Sequence, residues 1–498
     1  MSINSMIFIT AFLPVVFVLD RLCIRNIKLK NILLLLASLV FYAWGEPVYI
    51  VLLLISVLLN YGIGLLMGRL LDKHATGSEN SAAQPTSASQ PKSGYQPNSA
   101  AQPLAARLVL AAGILCNLGI LGYYKYFNFL LRILNRLLHQ EFEMRDIPLP
   151  IGISFFTFGA IAYLFDLYRG HYKAEKNLVD LALYMAFFPK ISVGPIARYK
   201  DFGVQLKSRT ETLEKTSEGI RRFCYGLGKK MLLANIIGSC VDKIYGQDIN
   251  NVTGLMVWCA ALLYTLQIYY DFSGFSDMAV GLGKMFGFDI CENFNYPYLS
   301  GSIQEFWRRW HISLSSWFRD YLYIPLGGNR RGKIRTYLNL AAVFLATGLW
   351  HGATTAFVVW GLLHGFFMIV ERLGFKKILD RTKVLKYGYT LVIVNFGWVI
   401  FRVANLGPSL QYIKRMLMPW KYTTGTFALQ ELISNRCIVM AIAGVLGAGL
   451  IQTLIKKVPA LEKLKGGVAE MLYCMLIVAA SMLLLVNGTY NPAIYLNF

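Results

Sequence analysis

The sequence predicts an all-α, polytopic integral membrane protein with roughly eleven transmembrane helices. Three observations predict it. Of 498 residues, 56% are hydrophobic and only 15% charged, whereas an average soluble domain carries about 25% charged residues. The apolar residues gather in runs long enough to cross a bilayer as helices, and no ten-residue alternation of the kind a membrane barrel needs is present. Forty-nine Lys and Arg against twenty-seven Asp and Glu give a net charge of +22, and the basic residues fall between the apolar runs, as at Arg21, Lys28 and Lys30. Short basic loops stay on the cytoplasmic side and lie against anionic headgroups. Lipid is therefore the expected partner of these charges. Nucleic acid is not, because no basic stripe with interleaved aromatics lies outside the apolar runs.

The elements follow in order. Met6–Leu19 is apolar, has no basic residue before it and no small-residue cleavage site, so it reads as a retained first span rather than a signal peptide. The basic flank from Arg21 to Lys30 puts the N-terminus outside. Ile32–Trp44 and Val48–Leu66 are separated at Glu46-Pro47, where proline ends a helix. Residues 75–103, rich in Ser, Ala, Gln and Pro, cannot bury a core and read as a disordered cytoplasmic loop that tolerates deletion. Further apolar runs lie at Leu104–Tyr124, Ile147–Leu167, Leu178–Ile196, Val252–Tyr270, Tyr337–Leu349, Thr355–Val370, Tyr387–Phe401, Ile438–Ile451 and Glu470–Val486. No soluble part can be cut out, so residues 1–498 read as one membrane domain.

Between Tyr270 and Arg335 polar, aromatic and Gly/Pro residues mix, and irregular polar backbone at membrane depth needs protein or water around it. A site is expected here. The phosphate loop, zinc helix and nucleophile elbow are absent. The glycines Gly281, Gly283 and Gly287 have the wrong spacing for a dinucleotide fingerprint and read as helix packing. Eight scattered cysteines with no CxxC pair read as free buried thiols, giving neither a metal site nor a disulfide framework. His74, His139 and His171 lie in polar or charged stretches and read as solvated. His364, on an aromatic-rich helix, reads as a neutral imidazole hydrogen-bonded to a neighbouring helix. His311 and His351 sit in or beside apolar runs, where an ionisable group is costly and points to function. The segment from Glu305 to Arg331 is amphipathic at helical spacing, with Arg308, Arg309, Arg319, Arg330 and Arg331 beside aromatics. An interfacial helix and a binding surface for a phosphorylated donor both account for it.

Four blocks carry a resemblance: Phe187-Phe-Pro-Lys-Ile-Ser-Val-Gly-Pro195-Ile-Ala-Arg198, Gln267-Ile-Tyr-Tyr-Asp271-Phe-Ser-Gly-Phe-Ser-Asp277, Glu292-Asn-Phe-Asn-Tyr-Pro-Tyr298 on to Gly328, and Gly348-Leu-Trp-His351-Gly-Ala. With forty residues from His311 to His351, the pattern resembles the membrane-bound O-acyltransferases (MBOAT), in particular their alginate O-acetyltransferase branch, over the whole chain except the Ser/Gln/Pro insert. The resemblance implies helices ringed around a central funnel, with His351 as catalytic histidine and His311 as the second motif histidine. Asp271, Asp277, Arg319 and Asp320 match the family's motif positions and are expected to orient the site, with structural ion pairing as the alternative for each, while Arg308, Arg309 and Arg319 remain the candidates for binding a phosphorylated donor, with an interfacial helix as the alternative. The end of the chain resembles a tyrosine motif of this family, making Tyr495 a candidate acyl relay; an interfacial aromatic is the alternative.

The reading that follows is an acyltransferase of the bacterial plasma or inner membrane. It takes acetyl from a cytoplasmic thioester, acetyl-CoA, for O-acetylation of an extracytoplasmic, alginate-like polysaccharide, with an SGNH-type acetyltransferase or accessory protein as partner and no bound cofactor or metal. Transfer of D-alanine from a carrier protein to teichoic acid is the alternative within the family, and a polytopic transporter the alternative outside it.

Overall fold

The computed structural model describes residues 1–23, 26–79, 102–455, 457, 466–488, 490–492 and 494. Among these residues the chain is helical and contains no strand. The principal helices are α1 (Leu13–Leu22), α2 (Ile27–Gly45), α3 (Ile50–Glu79), α4 (Leu104–Leu121), α5 (Phe127–Leu138), α6 (Ile153–Tyr168), α7 (Leu178–Ala186), α8 (Leu213–Gly228), α9 (Asn235–Tyr245), α10 (Gly254–Met285), α11 (Ile303–Arg309), α12 (Ile312–Phe318), α13 (Lys333–His351), α14 (Thr355–Val370), α15 (Leu385–Val403), α16 (Asn435–Val445) and α17 (Val468–Val486). Among the described residues seven stretches are long and apolar enough to cross a membrane: Ile27–Gly45, Ile50–His74, Leu104–Leu138, Gly254–Met285, Thr355–Asp380, Asn435–Leu454 and Val468–Val486. The chain is a multi-pass membrane protein. Of the other predicted spans, Tyr337–Leu349 and Tyr387–Phe401 lie in the unbroken 19-residue helices α13 and α15, α6 has 16 residues, and the expected run Leu178–Ile196 stops as a helix at Ala186. There Phe187 turns extended (φ −49°, ψ 113°) ahead of Pro189, and proline resists the helical geometry needed to continue.

The α10 helix is the spine of the molecule. It runs 32 residues, well past the predicted end at Tyr270, because the polar residues of its second half find partners on other elements. Asp271 pairs with Lys230, and Asp277 pairs with Arg222 at 2.8 Å and Lys229 at 2.5 Å. α10 lies backbone to backbone on α8. A Cβ on Gly219 would stand 2.6 Å from the Gly281 carbonyl, and one on Gly226 equally close to that of Gly274. These glycines are a helix-packing seam, since small residues let two backbones approach when lipid offers no hydrophobic drive.

Arg21 and Lys30 both reach Glu211, at 2.9 and 2.5 Å, so the first basic loop is tied to the turn before α8. α3 continues to Glu79 and α4 starts at Leu104, after Pro103. Of the loop expected at 75–103, residues 80–101 lie outside the described residues. All eight cysteines are free; Cys224, Cys240, Cys437 and Cys474 are buried, but Cys116 and Cys291 are exposed.

Candidate active site

His351 is the last residue of α13 and is 1% exposed. Two features place it. α13 crosses α14 at Gly348 and Gly361, where a Cβ would meet the Phe357 and Phe344 carbonyls at 2.3 and 2.2 Å. The carbonyls at its C-terminal end, which a helix leaves without internal donors, are taken by the turn after α4. Tyr126 Oη donates to Leu349 O at 2.7 Å, and Lys125 Nζ donates to Trp350 O at 2.5 Å and to Ser154 Oγ at 3.1 Å. A cation at a helix C-terminus is also favoured by the dipole. The imidazole packs edge-on against Trp360 and Phe401, with ring centroids 5.0 and 5.2 Å away.

His311 is completely buried, and its ring centroid lies 6.4 Å from that of His351. The amphipathic segment expected to be one helix breaks at this residue. His311 takes a left-handed conformation (φ 45°, ψ 54°) between α11 and α12, a costly state for a residue with a Cβ. What holds it is Asn293. The Asn293 carbonyl accepts from Ile312 N at 3.0 Å, and its Oδ1 accepts from Ser313 N at 3.2 Å. The same Oδ1 lies 3.1 Å from His311 Nδ1. The segment is also mostly buried, at Phe306, Trp307, Trp310, Leu314, Trp317 and Phe318, rather than laid on an interface.

A cavity of about 760 Å³ opens beside His351, with Lys125, Arg132, Asp242, Arg402 and Tyr490 among its lining. Tyr490, Pro492 and Ile494 form part of its wall. Asn491 Oδ1 accepts from Asn4 and Asn235 Nδ2 at 3.0 and 3.1 Å. Pro492 O accepts from Lys230 Nζ at 2.6 Å, Tyr490 bonds Asp242, and Ile494 reaches the cavity. Tyr495 lies outside the described residues.

The remaining expected residues are placed as follows. Arg308 is exposed; Arg309 pairs with Glu305 at 2.6 Å. Arg319 pairs with Asp320 at 2.8 Å, and Asp320 also meets Arg198 at 2.6 Å and Lys200 at 3.4 Å. Burial pushes the Asp320 carboxyl up, but Arg319, Lys200 and Arg198 more than offset it and hold it below the usual carboxylate range. Asp271, with its Lys230 partner, anchors the Pro492 carbonyl rather than meeting the Arg cluster. His364 is buried among Phe306, Trp307 and Trp360, and its ring nitrogens have no hydrogen-bond partner among the described residues, so aromatic packing replaces the expected hydrogen bond. His74, His139 and His171 are exposed. Sequence reasoning passed over Lys125, Tyr126 and Asn293. Asn293 stands inside one of the four motif blocks, and a lysine closing an apolar run at Lys125 was the other available signal.

The model of the membrane-bound O-acyltransferase family matches residues 174–406. A probable alginate O-acetylase of Pseudomonas aeruginosa is 41% identical over 437 residues, 87% of this chain and 77% of that protein. A peptidoglycan O-acetyltransferase of Helicobacter pylori is 34% identical over 83% of this chain and 79% of its own length. A teichoic acid D-alanyltransferase of Bacillus subtilis is 29% identical over 50% of this chain and 68% of its own length. Likeness of this degree along most of both chains shows that the protein belongs to the membrane-bound O-acyltransferase family and is an O-acyltransferase.

Proposed function

We propose that the protein moves an acetyl group from a cytoplasmic thioester, acetyl-CoA, to a hydroxyl of an extracytoplasmic, alginate-like polysaccharide, from a bacterial plasma or inner membrane. The observation that carries the reading is the buried His311–His351 pair, with His351 at the wall of a cavity inside an apolar bundle. Its likeness to the alginate O-acetylase and the peptidoglycan O-acetyltransferase supports acetyl transfer to a polymer. The D-alanyltransferase likeness covers only half of the chain.

In the proposed reaction a neutral imidazole takes the proton of the acceptor hydroxyl as its oxygen attacks the thioester carbonyl. The new C–O bond forms, the C–S bond breaks, and the imidazolium returns the proton to the leaving thiolate, so no further reactant is needed. A base placed this way contributes about 10²–10⁴-fold. Acetyl is handed on either to the polymer or to an SGNH-type partner outside the membrane, with Tyr495 as relay where the transfer proceeds in two steps.

The test supplies labelled acetyl-CoA to membranes containing the wild-type protein or His351→Ala. The variant is expected to insert normally and transfer no label, and full activity in it would overturn the assignment. Label recovered on Tyr495, and lost in Tyr495→Phe, identifies the relay; label on the polymer with no dependence on Tyr495 removes it.

A further inference from the structure

Asn293 commits nearly every polar group it has to one turn of chain around His311. Its main-chain carbonyl accepts from Ile312 N. Its Nδ2 donates to Ser276 Oγ on α10 at 3.1 Å. Its Oδ1 accepts from Ser313 N at 3.2 Å and from Ser313 Oγ at 2.9 Å. All three side chains are buried, at 1% exposed for Asn293, 2% for Ser276 and 3% for Ser313.

This network decides where the His311 proton sits. A backbone N–H can only donate, so the atom facing Ser313 N is the amide oxygen, and the amide cannot be turned the other way. The atom 3.1 Å from His311 Nδ1 is that same oxygen. It has only lone pairs to offer, so Nδ1 must carry the hydrogen, and a neutral ring then has its lone pair on Nε2. Nε2 is buried and has no hydrogen-bond partner among the described residues. Phe272, Trp350 and His351 pack on the ring, and His351 is the titratable group among these described contacts. With centroids 6.4 Å apart, nitrogens of the two imidazoles come no nearer than roughly 4 Å, beyond the reach of a direct hydrogen bond.

We infer that Asn293 is a positioning residue for acyl transfer: it selects the Nδ1–H form of His311, so that an accepting lone pair, and not a donor, faces the reacting groups beside His351. The inference rests on the assignment of acyl transfer to this histidine pair. His311 then accepts a hydrogen bond from the leaving thiol once it is protonated, while the Asn293 network prevents it from turning over. A wrong tautomer in a comparable acid–base pair costs about 10⁴-fold in rate.

Two measurements test it. The first reads the tautomer directly, from nitrogen-15 spectra of histidine-labelled protein, with His311→Gln assigning the signal. The wild type should show Nδ1–H at His311; Nε2–H there overturns the inference whatever the enzyme's activity. The second is kinetic. Asn293→Leu should lower kcat by about 10²–10⁴-fold with KM for the thioester unchanged. Asn293→Asp keeps the acceptor oxygen, so it should retain Nδ1–H and rescue most of kcat, with the acid limb of the pH profile moved upward by the added carboxylate. A folded Asn293→Leu with wild-type kcat overturns the inference, as does Asn293→Asp with an unmoved profile. Should Asn293→Leu fail to fold, the wild-type spectrum and Asn293→Asp still decide. If His351→Ala stays active while the spectrum shows Nδ1–H, the functional assignment fails and the tautomer stands.

Discussion

Replacing Gly348 by alanine should separate activity from membrane insertion. The new Cβ would stand 2.3 Å from the Phe357 carbonyl oxygen and 3.4 Å from Gly361 Cα. Both are backbone atoms, so no side chain can swing away. Restoring van der Waals contact requires α13 and α14 to part by about 1 Å. Overpacking of this kind costs about 1–3 kcal/mol, which a chain with this many packed helices survives. His351 lies three residues further along α13 and moves with it. A displacement of 1 Å in a reacting group can cost about 10²-fold in rate. The assay is label transfer from acetyl-CoA per inserted molecule, with the melting midpoint in detergent beside it. Gly388→Ala on α15 is the control, because nothing lies within 4 Å of its Cβ position; it should melt no lower and remain active. Gly348→Ala with the wild-type rate would refute the view that the α13–α14 crossing sets the position of His351.

Two further outcomes can be checked in the same preparations. Lys230→Met leaves Asp271 charged and buried, both side chains being 1% exposed in the pair, and should cost about 3–5 kcal/mol; melting in detergent should show most of this restored in Lys230→Met/Asp271→Leu. Asp320 has its carboxyl held below its unfolded value, so it stabilises the fold at pH above that value and the contribution disappears as pH falls through the folded one. Asp320→Asn should therefore lower the melting midpoint at neutral pH and flatten its loss on acidification, and an unchanged acid dependence would contradict this.

The membrane-spanning character was legible because hydropathy needs no knowledge of partners. The second half of α10 was not. Asp271 and Asp277 look like helix-breaking polarity until Lys230, Arg222 and Lys229 are brought alongside. The break at His311 was equally hidden, since the residue that imposes it lies 18 positions earlier, outside any local periodicity. The two histidines could be picked out as costly ionisable groups among apolar residues. Their supports could not, because Lys125 meets the Trp350 carbonyl across 225 residues. A motif marks candidate residues, while the groups that hold them in place are defined only by the fold.

The joining of Asn4 and Asn491, 487 positions apart, makes one side of the cavity depend on contacts remote in sequence. Tyr490, Pro492 and Ile494 line the cavity beside His351, and the stretch they belong to is gripped by Asn4, Lys230 and Asn235. Helices packed correctly everywhere else would still leave the cavity open on this side if those few hydrogen bonds were lost.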